Sequence, residues 1–125
     1  MLRRAGTDFR CGQLSLPAGH LEGGEDAVAG LLREVREEVG VEAAPQDCRL
    51  VLVVHSAPEH AADREYLNLF FAVDHWTGQP TIGEPDKCSE LLWAQESALP
   101  DDVVDFIREG LAAVARGEGF LARGW

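Results

Sequence analysis

The sequence predicts an α/β (α+β) layered domain, and three patterns carry that prediction. Val28, Leu32, Val35 and Val39 recur at helical spacing. Leu67, Leu69, Phe71 and Val73 alternate on one face of a strand. A second helical series, Val104, Ile107, Leu111 and Val114, follows Leu99-Pro100-Asp101. Strands mixed with two helices pack as layers around one core. The chain has 125 residues, which fits one domain over residues 1–125. A chain of this length hides about two-thirds of its unfolded surface, enough for a real core.

Each element follows in order. Met1–Arg4 is a short start, and Ala5 to Gln13 a loop. Leu14-Ser15-Leu16 reads as a short strand ended by Pro17, and Gly19 to Gly24 as a glycine-rich turn. Asp26 to Val39 is the clearest helix, with Gly40 as its stop. Arg49–Ser56 and Glu65–His75 read as strands, joined by a polar loop from Ala57 to Arg64. The stretch Thr77 to Asp86 is rich in Gly and Pro and reads as a connection. Leu91–Ala94 is a short strand, and the last helix begins at Leu99-Pro100-Asp101.

Composition narrows the function. Hydrophobic residues make up 46%, an ordinary globular share. The formal charge of −11 argues against a nucleic-acid polymer, whose binding is driven by Lys and Arg on phosphates. It also argues against an anionic membrane surface. A small anionic substrate stays open, because a bound metal reverses the local field. Cys11, Cys48 and Cys88 are odd in number, widely spaced and without a CxxC, so reduced thiols are expected rather than disulfides or a zinc site. With no apolar run of transmembrane length and no signal peptide opening the chain, a cytoplasmic location is expected.

The chemistry is concentrated between Gly19 and Val41. Successive helical residues are roughly 100° apart, so Glu34, Glu37 and Glu38 share one face, well round the cylinder from the apolar stripe. Like charges at i,i+4 cost about 0.2–0.5 kcal/mol per pair. Glu37 and Glu38 also lie near the helix C-terminus, where the dipole repels anions. Arg33 and Arg36 offset only part of this. A divalent cation on that face resolves the conflict, and the oxygen-only ligands suit Mg²⁺ or Mn²⁺. Mg²⁺ takes one or two carboxylates and completes its shell with water and phosphate. The alternative is a solvated face of interspersed Glu and Arg. The full span decides against it. Seven residues (Gly19, Glu25, Arg33, Glu34, Glu37, Glu38 and Gly40) stand at set spacings, a chance match on the order of 10⁻⁹ per start site.

Gly19–Val41 resembles a complete Nudix box, G-x₅-E-x₇-R-E-U-x-E-E-x-G-U, with Val35 and Val41 at the apolar U positions. Leu16-Pro17-Ala18 is similar to the family's entry into the box. Gly78-Gln79-Pro80, Glu84-Pro85-Asp86-Lys87, Leu92-Trp93 and Leu99-Pro100 resemble the second half of such domains. The resemblance implies a Nudix-type α/β/α sandwich with a mixed sheet. It implies hydrolysis of a nucleoside diphosphate linked to another moiety, a (deoxy)nucleoside triphosphate among the candidates, by water attack at phosphorus. Carried over by position, Glu34, Glu37 and Glu38 hold metal, with Glu34 or a nearby carboxylate activating water. Arg33 orients a box glutamate, the Gly19 carbonyl adds a ligand, and Glu25 braces the loop. The metal polarises the phosphoryl oxygens, lowers the pKa of water and neutralises developing charge.

Weaker candidates lie outside the box. Glu84 sits where many relatives place a further carboxylate, against a plain solvated acid. Lys87 is a phosphate contact or a solvated lysine. Trp93 is a stacking surface for a base or a core residue. Phe70, with Tyr66 and Asn68 on its strand face, lines a pocket or packs.

The sequence also departs from the family pattern. Met1-Leu2-Arg3-Arg4 matches only the end of the longer first strand of relatives, so that strand is expected to be truncated, or completed by a partner. An open sheet edge of this kind suggests a homodimer. Two other readings remain at this stage: a Nudix-like module that binds a nucleotide without cleaving it, and a structural or interaction domain.

Overall fold

The computed structural model describes residues 1–6 and 8–125. Its elements, in chain order, are strand β1 (Leu2–Arg4), strand β2 (Leu14–Ser15), helix α1 (Ala27–Val39), strands β3 (Cys48–Ser56), β4 (Tyr66–Val73) and β5 (Cys88–Leu91), helix α2 (Asp105–Ala115) and strand β6 (Phe120–Arg123). The strands form two three-stranded sheets, ordered β2-β1-β5 and β4-β3-β6. The second is mixed, because β4 runs antiparallel to β3 and β6 parallel to it.

The start of α1 is fixed by Asp26. Its backbone is extended and its carboxylate accepts the amides of Val28 and Ala29, both at 2.9 Å. Such a cap is worth about 1 kcal/mol. Gly40 ends the helix in the left-handed region, at φ 68°. The buried stripe is rotated slightly from the expected one. Val35 and Val39 are buried and Leu31 packs beside them, against Leu2, Val41, Cys88, Ile82 and Leu91. Val28 and Leu32 are only half-buried.

The main core joins the second sheet to α2. Leu52 and Val54 of β3, Phe70 of β4, Leu14, Val103, Val104, Ile107 and Ala113 form it. Gly110 makes this packing possible, because a Cβ there would lie 2.7 Å from Cζ of Phe70.

Four expectations change. In β4 the inward face is that of Phe70, while Leu67 and Leu69 point outward and are 66% and 40% exposed. The strand expected at Leu91–Ala94 lies earlier, at Cys88–Leu91, because Leu2 and Arg3 pair with Leu91 and Glu90. The last helix begins at Asp105 rather than Leu99. Residues 100–104 are held instead against β2, where the amides of Leu14 and Val104 bond to the carbonyls of Asp102 and Leu14. Finally, β6 is an additional strand, paired through Val53–Phe120 to Ser56–Arg123. The loop expected over Ala5–Gln13 includes Thr7, which lies outside the described residues.

Candidate active site

Arg33 organises the loop in front of α1. Its Nη2 and Nε donate to the two oxygens of Glu25, at 2.7 and 3.1 Å, and Nη2 also reaches the His20 carbonyl at 3.1 Å. Its Nη1 donates to Oε1 of Glu34 at 2.7 Å. The Glu22 amide completes the brace by donating to Glu25 at 2.8 Å. The Arg33 guanidinium, helped by that amide, pulls the Glu25 carboxyl down to about 2. Glu25 and Glu34 in turn hold Arg33 well above its ordinary value. A planar fork bonded on both edges fixes geometry as well as charge, which a lysine could not reproduce.

Glu34 and Glu38 face this loop. Gly19 lies so close that a Cβ would stand 1.8 Å from Oε1 of Glu34, so only glycine leaves the carboxylate in place. The next-door Ala18 amide donates to Oε2 of Glu38 at 2.8 Å. Burial pushes the Glu38 carboxyl up to about 7, and the charges of Glu34 and Glu84 add to the shift against the Ala18 bond and Arg4. Glu37 is different. Half exposed, it takes only a 3.4 Å contact from Arg33.

Glu84 reaches the site because its loop is anchored to the end of α1. The amides of Thr81 and Gly83 donate to the carbonyls of Val39 and Glu38, at 3.0 and 2.9 Å. A Cβ on Gly83 would strike the Glu37 carbonyl at 2.0 Å. These bonds also satisfy helix-end carbonyls that would otherwise repel the nearby acids. Lys87 pairs with Glu84 at 3.1 Å and feels the charge of Glu34 as well.

Among the described residues no group of three or more acidic, histidine or cysteine side chains is placed to hold a metal ion. Glu34 and Glu38 nevertheless present hard oxygens near Glu84, with Glu38 raised first by burial and further by the charges of Glu34 and Glu84. That set suits a cation bound by one or two carboxylates that leaves the remaining positions to water and phosphate.

The other candidates separate. Phe70 is buried in the core. Trp93 is not in the core: it is 73% exposed and stacks on Trp76, ring centroids 6.1 Å apart. The strand neighbours of Phe70 do line a cavity. Tyr66 and Asn68 bound a space of about 310 Å³ with Ser56, Arg64, Phe106 and Arg123. Its rim approaches the box loop, since the Tyr66 ring lies 6.3 Å from that of His20. Arg4 and the Ala18 amide were missed as influences on Glu38. Arg4 stood only as the end of a strand, and a backbone donor carries no residue-type signal at all.

Comparison with known proteins gives the class, a Nudix pyrophosphohydrolase. A family model described as NUDIX domain matches residues 1–114, and the chain belongs to that family. The chain is 29% identical over 100 residues to an "8-oxo-dGTP diphosphatase" of Escherichia coli (strain K12), covering 78% of this chain and 74% of that protein. Its fold resembles a crystal structure of a MutT NUDIX hydrolase from Burkholderia pseudomallei, with a TM-score of 0.78 at 23% identity over 89% of this chain and 83% of the other.

Proposed function

We propose that this protein carries out metal-dependent hydrolysis of a diphosphate bond in a nucleoside diphosphate derivative, a (deoxy)nucleoside triphosphate or related nucleotide. The observation that carries the reading is Glu38, raised to about 7 beside Glu34 and Glu84. This is a concentration of negative charge that calls for a cation, and the His20 ring of the box loop lies 6.3 Å from that of Tyr66, which lines a cavity of ligand size. Mg²⁺, or Mn²⁺, bound there would neutralise phosphate charge and acidify the attacking water. Glu34, Glu37, Glu38 and Glu84, with the Gly19 carbonyl, are the proposed ligands. Glu34 and Glu38 are the principal ones, because Glu37 stands half exposed and is held only by a 3.4 Å contact with Arg33.

The chain's own groups do the positioning. Arg33 holds Glu34 and the Ala18 amide holds Glu38, so neither carboxylate has to be ordered when substrate arrives. A carboxylate oxygen of Glu34 or its neighbour Glu38 accepts the proton of the attacking water. The new bond forms between water oxygen and phosphorus, and the bridging P–O bond breaks. Lys87 is the proposed phosphate contact. Tyr66 and Asn68 at the cavity receive the nucleoside end, and Trp93 on its exposed stack is a second surface for a base. The −11 charge supports a small substrate over a polymer or an anionic membrane. Three free thiols support a reducing, cytoplasmic setting.

The test is release of orthophosphate or pyrophosphate across a nucleotide panel with Mg²⁺, Mn²⁺ or EDTA. The name of the E. coli relative makes oxidised and ordinary purine deoxynucleoside triphosphates the first substrates to try. Turnover with metal that EDTA abolishes is the expected result. Turnover in a metal-free preparation refutes the reading, and binding without cleavage replaces it with a nucleotide-binding module.

A further inference from the structure

One face of the β4-β3-β6 sheet carries α2 and the core. The other is apolar and no described element covers it. Register places Leu69, Val53 and Phe120 in one row across the three strands, and Leu67, His55 and Ala122 in the next. Leu50 extends the face at one end. At the other, the Trp125 ring lies 4.7 Å from that of His55, with its N–H on the His55 carbonyl at 3.1 Å. Leu50, Leu67, Phe120 and Trp125 are each more than half exposed. With Leu69 they present on the order of 550 Å² of apolar surface, taking roughly 150–250 Å² for each large side chain. That is at the upper limit of the largest patch on an ordinary monomer, about 300–600 Å².

We propose that this face packs on the same face of a second copy, as a two-fold symmetric dimer. Area supports a second copy as the occupant. The patch and its rim approach the ~800 Å² per partner of a standard interface. Charge selects it too. Two copies at −11 each repel, so a self-association surface has to be one where that charge is absent. Two of the charges bordering this face are closed into pairs with neighbours, Arg49 with Asp74 and Arg116 with Glu118. A two-fold contact sets each patch on its own copy, so a neutral apolar face is self-complementary where an acidic one is not. The geometry is that of stacked sheets about 10 Å apart, different from pairing along an open strand edge.

Sedimentation velocity on the whole chain across a concentration series tests this. The expected result is a dimer whose dissociation constant rises at least tenfold in the double variant Leu69→Lys, Phe120→Lys. Circular dichroism and nucleotide hydrolysis should be unchanged in that variant. Neither residue belongs to the proposed catalytic site, so failure here is separable from failure of the enzymatic reading. Hydroxyl-radical footprinting of the wild type needs no variant, and should show Leu67, Leu69 and Phe120 protected at high concentration only. A wild-type monomer at ~100 μM overturns the proposal. So does a dimer that the double variant leaves intact, or one that leaves these side chains unprotected.

Discussion

Replacing Glu38 by Gln separates the charge of the site from its shape. The folded carboxyl titrates at about 7 against an ordinary 4.5. Below 4.5 the folded and unfolded chains are both protonated at this position, and it contributes nothing to stability. As pH rises from 4.5 to 7 the unfolded chain ionises while the folded one resists, so stability is lost across that window and stays lost above it. The shift corresponds to about 3 kcal/mol at one pKa unit per 1.36 kcal/mol. Water reaching this partly open group screens it to about 2 kcal/mol. Glutamine keeps the shape and the acceptor for the Ala18 amide. The metal-free variant should therefore melt above wild type by roughly 6–10 °C at pH 8, since 1 kcal/mol moves a domain of this size by several degrees. At pH 4.5 the two should melt together. Mg²⁺ should raise the wild-type melting temperature by mass action and the variant's less. Thermal melts from pH 4 to 9, with EDTA and with Mg²⁺, measure all of this. Stabilisation that is absent at pH 8, or equal at both pH values, would refute an electrostatic burden at Glu38. Glu37→Gln is the control: half exposed, it should change stability by less than about 0.5 kcal/mol.

Three further outcomes are expected. Gly19→Ala should lower kcat about 10²-fold with little change in melting temperature, because its Cβ displaces Glu34 rather than core residues; steady-state kinetics beside a thermal melt checks both. Arg33→Lys should slow turnover roughly 10–100-fold through loss of the fork. It should also destabilise at neutral pH. Because Glu25 is depressed to about 2, that penalty should fade as pH falls from 4.5 towards 2, which urea titrations at several pH values would show. Gly110→Ala should cost roughly 1–3 kcal/mol in chemical denaturation, since the added carbon meets the buried Phe70 ring and not a flexible chain end.

The helix and its brace were legible because their signals are local. Asp26 and Gly40 mark the ends of α1, and the box pattern implies that Arg33 orients one of its glutamates without saying which; the fold bonds it to Glu25 and Glu34, both at 2.7 Å. Strand β4 was legible as a strand but not in its orientation. Alternation defines two faces without saying which is inside, and Leu67 and Leu69 look as fit for a core as Phe70. The choice is made far along the chain, where Gly110 opens a space only the Phe70 ring can fill. Strand β6 had no local signal: four residues between glycines gain their structure from a parallel partner in the middle of the chain. Trp93 illustrates the same limit in reverse. An apolar neighbourhood in sequence, Leu91-Leu92-Trp93, becomes an exposed aromatic stack once the strand ends at Leu91. Within the site, the acids could be read by type, but the difference between Glu38 and Glu37 depends on a backbone amide and a loop that folding brings from elsewhere.

The anchoring of residues 81–83 on the end of α1 sets where this enzyme can tolerate changes in loop length. Upstream, the chain is pinned at Thr77 by its bridge to Glu42, so Gly78, Gln79 and Pro80 form a slack span between two fixed points. Downstream there is no slack. The Glu84 carbonyl takes the amides of Lys87 and Cys88, and Cys88 already belongs to β5. A residue inserted after Gln79 can bulge into solvent and leave Glu84 where it was. The same residue inserted after Gly83 must turn Glu84 away from Glu38 or pull β5 out of register with β1. Remodelling of this connection, whether by evolutionary drift or by grafting a longer recognition loop, is therefore confined to the three residues before Thr81.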